Sequence, residues 1–430
     1  MTMVTAQSNN LQISSVIGRE ILDSRGLPTL ECAISLNNGI VAVSSLSTNN
    51  SSKSNDLTEL RDADPNRLAG LGTTKAVGII NERIAPLLVG QNPTKQEELD
   101  KKIVSLDPSK NMHNIGANST MVVSQTLMKA AALSYGWPTY YYLLKKYQLA
   151  SAIVVPTCIY GMIDGGKHGT DNLDFQEYQI IPANHFNFHK SLEIAVNVYR
   201  ALGVILKEKG AIRSVGPSGG YTPNLYKNTD AFDLIAEAAR NCNLTIGHEL
   251  FFGADFDANS FYKTGKYHIK DNPEPLSPKT WQVYLQDLNK IYGLYAFEDA
   301  FATDDLDSWK TFLADFDKIA RVIADAPTRS DAKLITEARN QNMANTIIIK
   351  TSQAPTCSHL IEAIMKAREA NWQIIISNRE GETNDDFIAD LGVGVGADFL
   401  KFGPPNRGER IAKYNRLSQI ATEIEKLQQV

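Results

Sequence analysis

Six short apolar runs, each ending in a charged residue, constrain this chain most. Leu250-Phe251-Phe252-Gly253-Ala254 runs into Asp255, Tyr295-Ala296-Phe297 into Glu298, and Val322-Ile323-Ala324 into Asp325. Asn345-Thr346-Ile347-Ile348-Ile349 reaches Lys350, Gln373-Ile374-Ile375-Ile376-Ser377-Asn378 reaches Arg379, and Phe399-Leu400 reaches Lys401. Short runs rich in β-branched residues read as buried parallel strands. The charges stand about 22 to 43 residues apart with a helix-like segment between most pairs, the rhythm of βα units. Charged strand ends, each followed by a helix, describe a β/α barrel with its site at the C-terminal rim. Three carboxylates, two lysines and an arginine at one mouth make a metal and anion site.

At 430 residues and 43% hydrophobic content, the chain is long enough for a large core and for two domains. Its 43 basic and 48 acidic residues give a net charge of −5, which offers no basic face to nucleic acid. Cys32, Cys158, Cys242 and Cys357 lie far apart, a pattern suited to a reducing cytosol rather than to a disulfide frame or a zinc site. The N-terminus carries no basic apolar signal, and no run approaches the roughly 18 apolar residues of a membrane span. The expectation is a cytoplasmic protein.

Residues Ile13 to Leu36 read as strand, turn, strand, with the turn at Asp23-Ser24-Arg25-Gly26-Leu27-Pro28. Ser44 to Asp56, rich in Ser and Asn, reads as an exposed mobile loop, either a solvated connector or an active-site lid. Helical periodicity follows from Thr74 to Tyr147, so an α+β domain over residues 1–148 is expected. The barrel, residues 149–430, begins at Ile153-Val154-Val155-Pro156, and its helices include Leu192–Lys209, Pro278–Tyr292 and Arg410–Gln428. Gly392, Gly394 and Gly396 do not make a dinucleotide fingerprint, because Ala397 stands where the pattern wants glycine.

Asp255, Glu298 and Asp325 are hard oxygen ligands suited to Mg²⁺. One strand-end acid alone reads equally as a hydrogen-bond partner; three on successive strands favour a metal. Lys350 and Lys401 are either counter-ions closing that cluster or working groups, Lys350 then acting as a base on a proton α to a carboxylate. His168 lies in the glycine-flanked loop Asp164–Thr170, and Gln176-Glu177, which follow it, read as strand. A lone loop histidine also reads as surface decoration. Ser218, in the tight loop Val215–Tyr221, reads as a turn residue with no evident His–Asp partner.

Along essentially its whole length the chain resembles the enolase (phosphopyruvate hydratase) family. The matching stretches are Arg19–Gly26, Glu59–Asp62, Gly116–Asn118, Leu173–Glu177, Ala324-Asp325, Gly381–Thr383 and Glu409–Asn415. The resemblance implies an N-terminal α+β domain followed by an eight-stranded enolase-type β/α (TIM-like) barrel. It implies that Asp255, Glu298 and Asp325 hold Mg²⁺, that Lys350 abstracts the proton, and that Lys401 meets the substrate carboxylate. Arg379 falls on a phosphate contact, and His168, Gln176 and Glu177 fall on the mobile-loop and acid-side positions. A homodimer acting on a small anionic carboxylate is the family expectation, with Arg19, Glu20, Glu409 and Arg410 as candidate interface charges.

The chain departs from the family at defined places. Ser218 stands where the family has its general acid, and Asn378 where it has a histidine. Glu380 replaces a phosphate-binding serine, which sets a carboxylate against a phosphate. The loop that closes on a second Mg²⁺ reads here as Thr48–Lys53, so one metal site is expected. Three readings follow: a lyase taking 2-phosphoglycerate to phosphoenolpyruvate and water, an enzyme enolising another carboxylate through Lys350, or a non-catalytic binding protein.

Overall fold

The computed structural model describes residues 11–48 and 57–428. They fall into two compact units. One comprises Met1–Val154, Ile349–Met365 and Asn378–Gly396; the other comprises Val155–Ile348, Lys366–Ser377 and Ala397–Val430.

In the first unit, β1 (Ile13–Leu22), β2 (Pro28–Leu36) and β3 (Val41–Ser45) form an antiparallel sheet. The β1–β2 turn closes because the Asp23 carboxylate accepts the backbone N–H groups of Arg25 (2.8 Å) and Leu27 (3.0 Å). From Leu30 onward, alternate β2 side chains point inward, the period-two pattern of a strand with one buried face. The helix Ala117–Ser134 packs against β2 and β3 and is buried along most of its length. Ser44, Ser47 and Thr48 are buried rather than exposed. Their serine-rich composition misleads because two of these positions have specific partners: Ser44 Oγ donates to Asp385 (2.7 Å), and Thr48 pairs with Gly381 through its backbone (2.8 Å). The rest of that predicted loop, 49–56, lies outside the described residues.

Gly394 closes the helix Phe387–Gly394, where a Cβ would collide with Leu143 and the Tyr140 carbonyl. Close helix packing therefore accounts for a glycine there. Asp385, at the start of the same segment, is half-buried and accepts from Ser44, Ser45, Gln125, Lys129 and Phe387. Burial opposes its charge, but Lys129 and these donors hold its carboxyl below the usual range. We expect Asp385→Ala to cost about 3 kcal/mol, the lower end for a broken buried pair, since Lys129 keeps Asp386 (3.5 Å) but loses its closer partner. With the native value lowered, the stabilisation is present above about pH 4 and is lost as pH falls through the native value. Melting curves at neutral and acid pH check this: the gap between the parent and Asp385→Ala should narrow in acid.

The second unit is built on a closed barrel. Its strands are β4 (Thr157–Asp164), β5 (Glu177–Pro182) and β6 (Leu250–Asp255), then, after a small hairpin of β7 (Tyr262–Lys263) and β8 (Lys266–Tyr267), β9 (Leu294–Glu298). β10 (Arg321–Ala324), β11 (Thr346–Ile349), β12 (Gln373–Ser377) and β13 (Phe399–Lys401) complete it. Their order around the barrel is β10-β11-β12-β13-β4-β5-β6-β9. The first barrel strand starts at Thr157, four residues later than the Ile153 start read from sequence. Ile159, Ile181, Phe251, Ala296, Ile323, Ile348, Ile375 and Phe399, one from each strand, pack into a single interior cluster. β5 alone runs against its neighbours, antiparallel to both β4 and β6.

Candidate active site at the barrel rim

The reversed strand explains how the acidic residues meet. Strands β4, β6 and β9 deliver their last residues, Asp164, Asp255 and Glu298, to the C-terminal rim. β5 delivers its first, Glu177. The pairing register runs Asp164–Glu177–Asp255–Glu298 straight across four strands. Lys401, ending β13, points into this row. Its Nζ donates to Glu298 Oε2 (2.6 Å) and Asp255 Oδ2 (3.2 Å) and lies 3.0 Å from Glu177 Oε2. Gln179 donates to Glu177 (3.3 Å) and Glu298 (3.5 Å), and Gln176 to Asp255 (3.1 Å).

Burial alone would strip Lys401 of its proton, but Glu177, Glu298 and Asp255 hold it well above the usual lysine range. Burial likewise opposes the charge on Glu177, which Lys401 and His168 nevertheless keep well below the usual carboxylate range. Lys401 is thus a fixed, buried cation tied to three acids of the cup.

Asp299 is a rim residue that the strand-end pattern missed. It follows Glu298 in a left-handed backbone conformation (φ 46°), which turns its carboxylate to accept the N–H groups of Asp325 (2.9 Å) and Ala326 (3.0 Å). Burial, then Asp325 and Asp255, push it well above the usual carboxylate range. Asp164 was also missed as a candidate, and is pushed up to about 7 by burial and by Glu177. The only sequence signal for Asp299 was the acidic doublet with Glu298.

Ser218 does have a histidine partner, contrary to the sequence reading. Its Oγ lies 3.0 Å from His168 Nδ1, and that nitrogen lies 3.5 Å from Glu177 Oε1. Fifty residues separate the two, and only the fold of their two loops joins them.

Lys350 and Arg379 come directly after β11 and just beyond β12, and Asn378 lies between Ser377 and Arg379. Lys350 is buried; Asn378, Arg379 and Glu380 are half-buried. Within the first unit, Glu380 is paired with Arg25 (3.1 Å), so its charge is neutralised rather than left bare. Arg25 also binds Asp23 (3.0 Å) and Thr48 (2.6 Å), and a Cβ at Gly381 would fall on all three partners. The candidate interface charges are likewise engaged inside the chain. Arg19 pairs with Glu31, Glu20 with Arg67, and Glu409 with Arg407, while Arg410 is fully buried.

As the side chains stand, no three acidic, histidine or cysteine groups among the described residues are arranged around a metal ion. Lys401 occupies two of the expected ligands. The chemistry of the donors still suits a hard divalent cation: Asp255, Glu298 and Asp325 offer carboxylate oxygens only. Asp325 and Asp255 crowd Asp299 with like charge, which such a cation relieves. On these two counts the residues fit the ion.

An eight-stranded barrel with one reversed strand and an acid-lined rim, joined to a small α+β unit, defines the class of protein. Residues 13–143 match the family described as Enolase, N-terminal domain, and residues 152–429 that described as Enolase, C-terminal TIM barrel domain. The Enolase of Ehrlichia chaffeensis is 35% identical over 411 residues, 96% of each chain. The chain belongs to the enolase family, a family of lyase-type enzymes. Among the described residues, no helix is long and apolar enough to cross a membrane.

Proposed function

We propose that this chain removes the proton α to the carboxylate of 2-phosphoglycerate and expels the β-hydroxyl, giving phosphoenolpyruvate and water. The observation that carries this reading is the in-register row Glu177–Asp255–Glu298 closed by Lys401. An enolate needs positive charge held beside the carboxylate oxygens that receive electrons, in a site that excludes water. Lys401 is such a charge, fixed and buried.

Asp255, Glu298 and Asp325 are the residues to hold Mg²⁺, which when bound neutralises the charge developing on the substrate carboxylate. Lys350 is the base. Arg379 is the cation for the phosphate, and Gln176 fixes the Asp255 carboxylate through its amide. The Arg25–Glu380 pair favours this substrate over one chosen for lacking phosphate, because the carboxylate nearest Arg379 in sequence is already neutralised.

Two measurements test the reading. Titration calorimetry should show Mg²⁺ uptake by the purified chain, weakened in Asp325→Asn. Incubation with 2-phosphoglycerate and Mg²⁺ in deuterated water should replace the C2 proton, followed by NMR. Failure to exchange that proton would sink the proposal, whatever the calorimetry gave.

A further inference from the structure

An elimination needs a proton for the departing oxygen, and the groups on the rim differ sharply in their capacity to give one. Glu177 and Lys401 are bound to each other (3.0 Å), and Lys401 is shared with Asp255 and Glu298 as well, so neither is a ready donor. Asp164 is pushed up to about 7, but it is enclosed: Cβ atoms at Gly216 or Gly220 would collide with its carboxylate, and its Oδ2 accepts the Gly220 N–H (3.1 Å). Ser218 lies on the loop that covers it. That loop is held at the rim by backbone bonds from Asp164 to Tyr221 (2.9 Å) and from Tyr221 to Met162 (3.0 Å). Tyr199 ties it from the side by donating to the Gly219 carbonyl (2.7 Å).

We propose that Ser218 is the group that meets the leaving oxygen, and that the His168 imidazolium behind it is the source of the proton. The inference rests on the elimination proposed above. As the C–O bond breaks, its electron pair leaves with the oxygen, and the Ser218 hydroxyl gives that oxygen its proton. His168 Nδ1–H replaces the proton on Ser218 Oγ across the 3.0 Å contact. Water departs, Ser218 is unchanged, and His168 is left neutral.

The surroundings suit an imidazolium. Glu177, on β5, lies 3.5 Å from the same nitrogen, and Asp164, on β4, sits beneath the loop. Among the described residues the buried Oδ1 of Asp164 has no hydrogen-bond partner, so in its ionised form its negative potential is available to a neighbouring cation. The nearby cations act on those two acids: Lys401 on Glu177, and Arg410 on Asp164. Lys167, next in sequence to His168, pairs with Asp257 instead (3.3 Å). A serine hydroxyl cannot protonate a leaving group unaided at neutral pH; one backed by an imidazolium can.

The test separates the two halves of the reaction in the full-length chain with Mg²⁺ and 2-phosphoglycerate. Exchange of the C2 proton into deuterated water reports enolisation; ultraviolet absorbance of phosphoenolpyruvate reports elimination. In Ser218→Ala and His168→Gln, exchange should stay within about threefold of the parent, while elimination falls about 10²- to 10⁴-fold. The parent's elimination should decline as pH rises through the imidazole range. That limb should be absent in His168→Gln, and Ser218→Glu should recover elimination with the limb displaced.

Parallel loss of exchange and elimination in both variants would overturn the proposal, as would elimination at the parent rate in either. So would a pH limb unchanged in His168→Gln. A parent chain that exchanges no proton removes the elimination itself, and this proposal with it.

Discussion

Lys350→Ala is expected to lose C2-proton exchange with 2-phosphoglycerate by about 10²- to 10⁴-fold, the usual contribution of a positioned general base. Phosphoenolpyruvate formation should fall with it, because no elimination follows where no proton has left. This variant differs in that respect from Ser218→Ala, where the two measurements are expected to part. The comparison is clean only if the chain stays folded, so a melting curve accompanies the rates. Lys350 is buried, and a variant that melts like the parent but no longer exchanges identifies chemistry rather than packing. A variant exchanging as fast as the parent would remove Lys350 from the reaction.

Lys401→Met is expected to act on stability as strongly as on turnover. The ammonium is shared by three buried carboxylates, so its removal leaves Glu177, Asp255 and Glu298 facing one another without the cation that links them. Breaking a buried pair costs about 3–5 kcal/mol, and a shared cation belongs at the upper end of that range. Denaturant unfolding without divalent ions should show the loss. Added Mg²⁺ should recover more stability in Lys401→Met than in the parent, because a ligand that binds only the folded state stabilises in proportion to its affinity. Equal stability of the two proteins in the absence of metal would show that the acids relieve their repulsion in another way.

Much of the fold was written locally. Runs such as Thr346–Ile349 carry β-branched side chains on both faces, which only a strand buried on both sides accommodates, and the charged residues beyond them mark the strand ends. The helix read over Pro278–Tyr292 has those same bounds, set by the Ser277 side chain accepting from Thr280 (3.2 Å) and by Gly293 in the left-handed region.

What stayed hidden was whatever depended on direction or on distant loops. Nothing local says that β5 runs backwards, so Glu177 was placed on the acid side by resemblance alone, and its position in the row of strand-end acids went unread. Asp299 was hidden by a single backbone turn that sends its carboxylate across to the next strand. The contact of Ser218 with His168 needs two loops to fold over Asp164, and no periodicity records that. Ser44 and Thr48 misled for the opposite reason: hydroxyls that suit water equally suit Asp385 and Asp23 once those acids are brought near.

The reversal of β5 has a consequence for what can change in this chain. Glu177 and Gln179 face the same side because they are two apart, and both owe their height in the barrel to the connection from Asp164. Dropping one residue between 165 and 176 would slide β5 against both neighbours and bring Tyr178, which donates to Asn228 on the other side, into the row of acids. The span of that connection is therefore held more tightly than its lettering: replacements at solvent-facing points such as Thr170 are tolerable, whereas insertions and deletions are not.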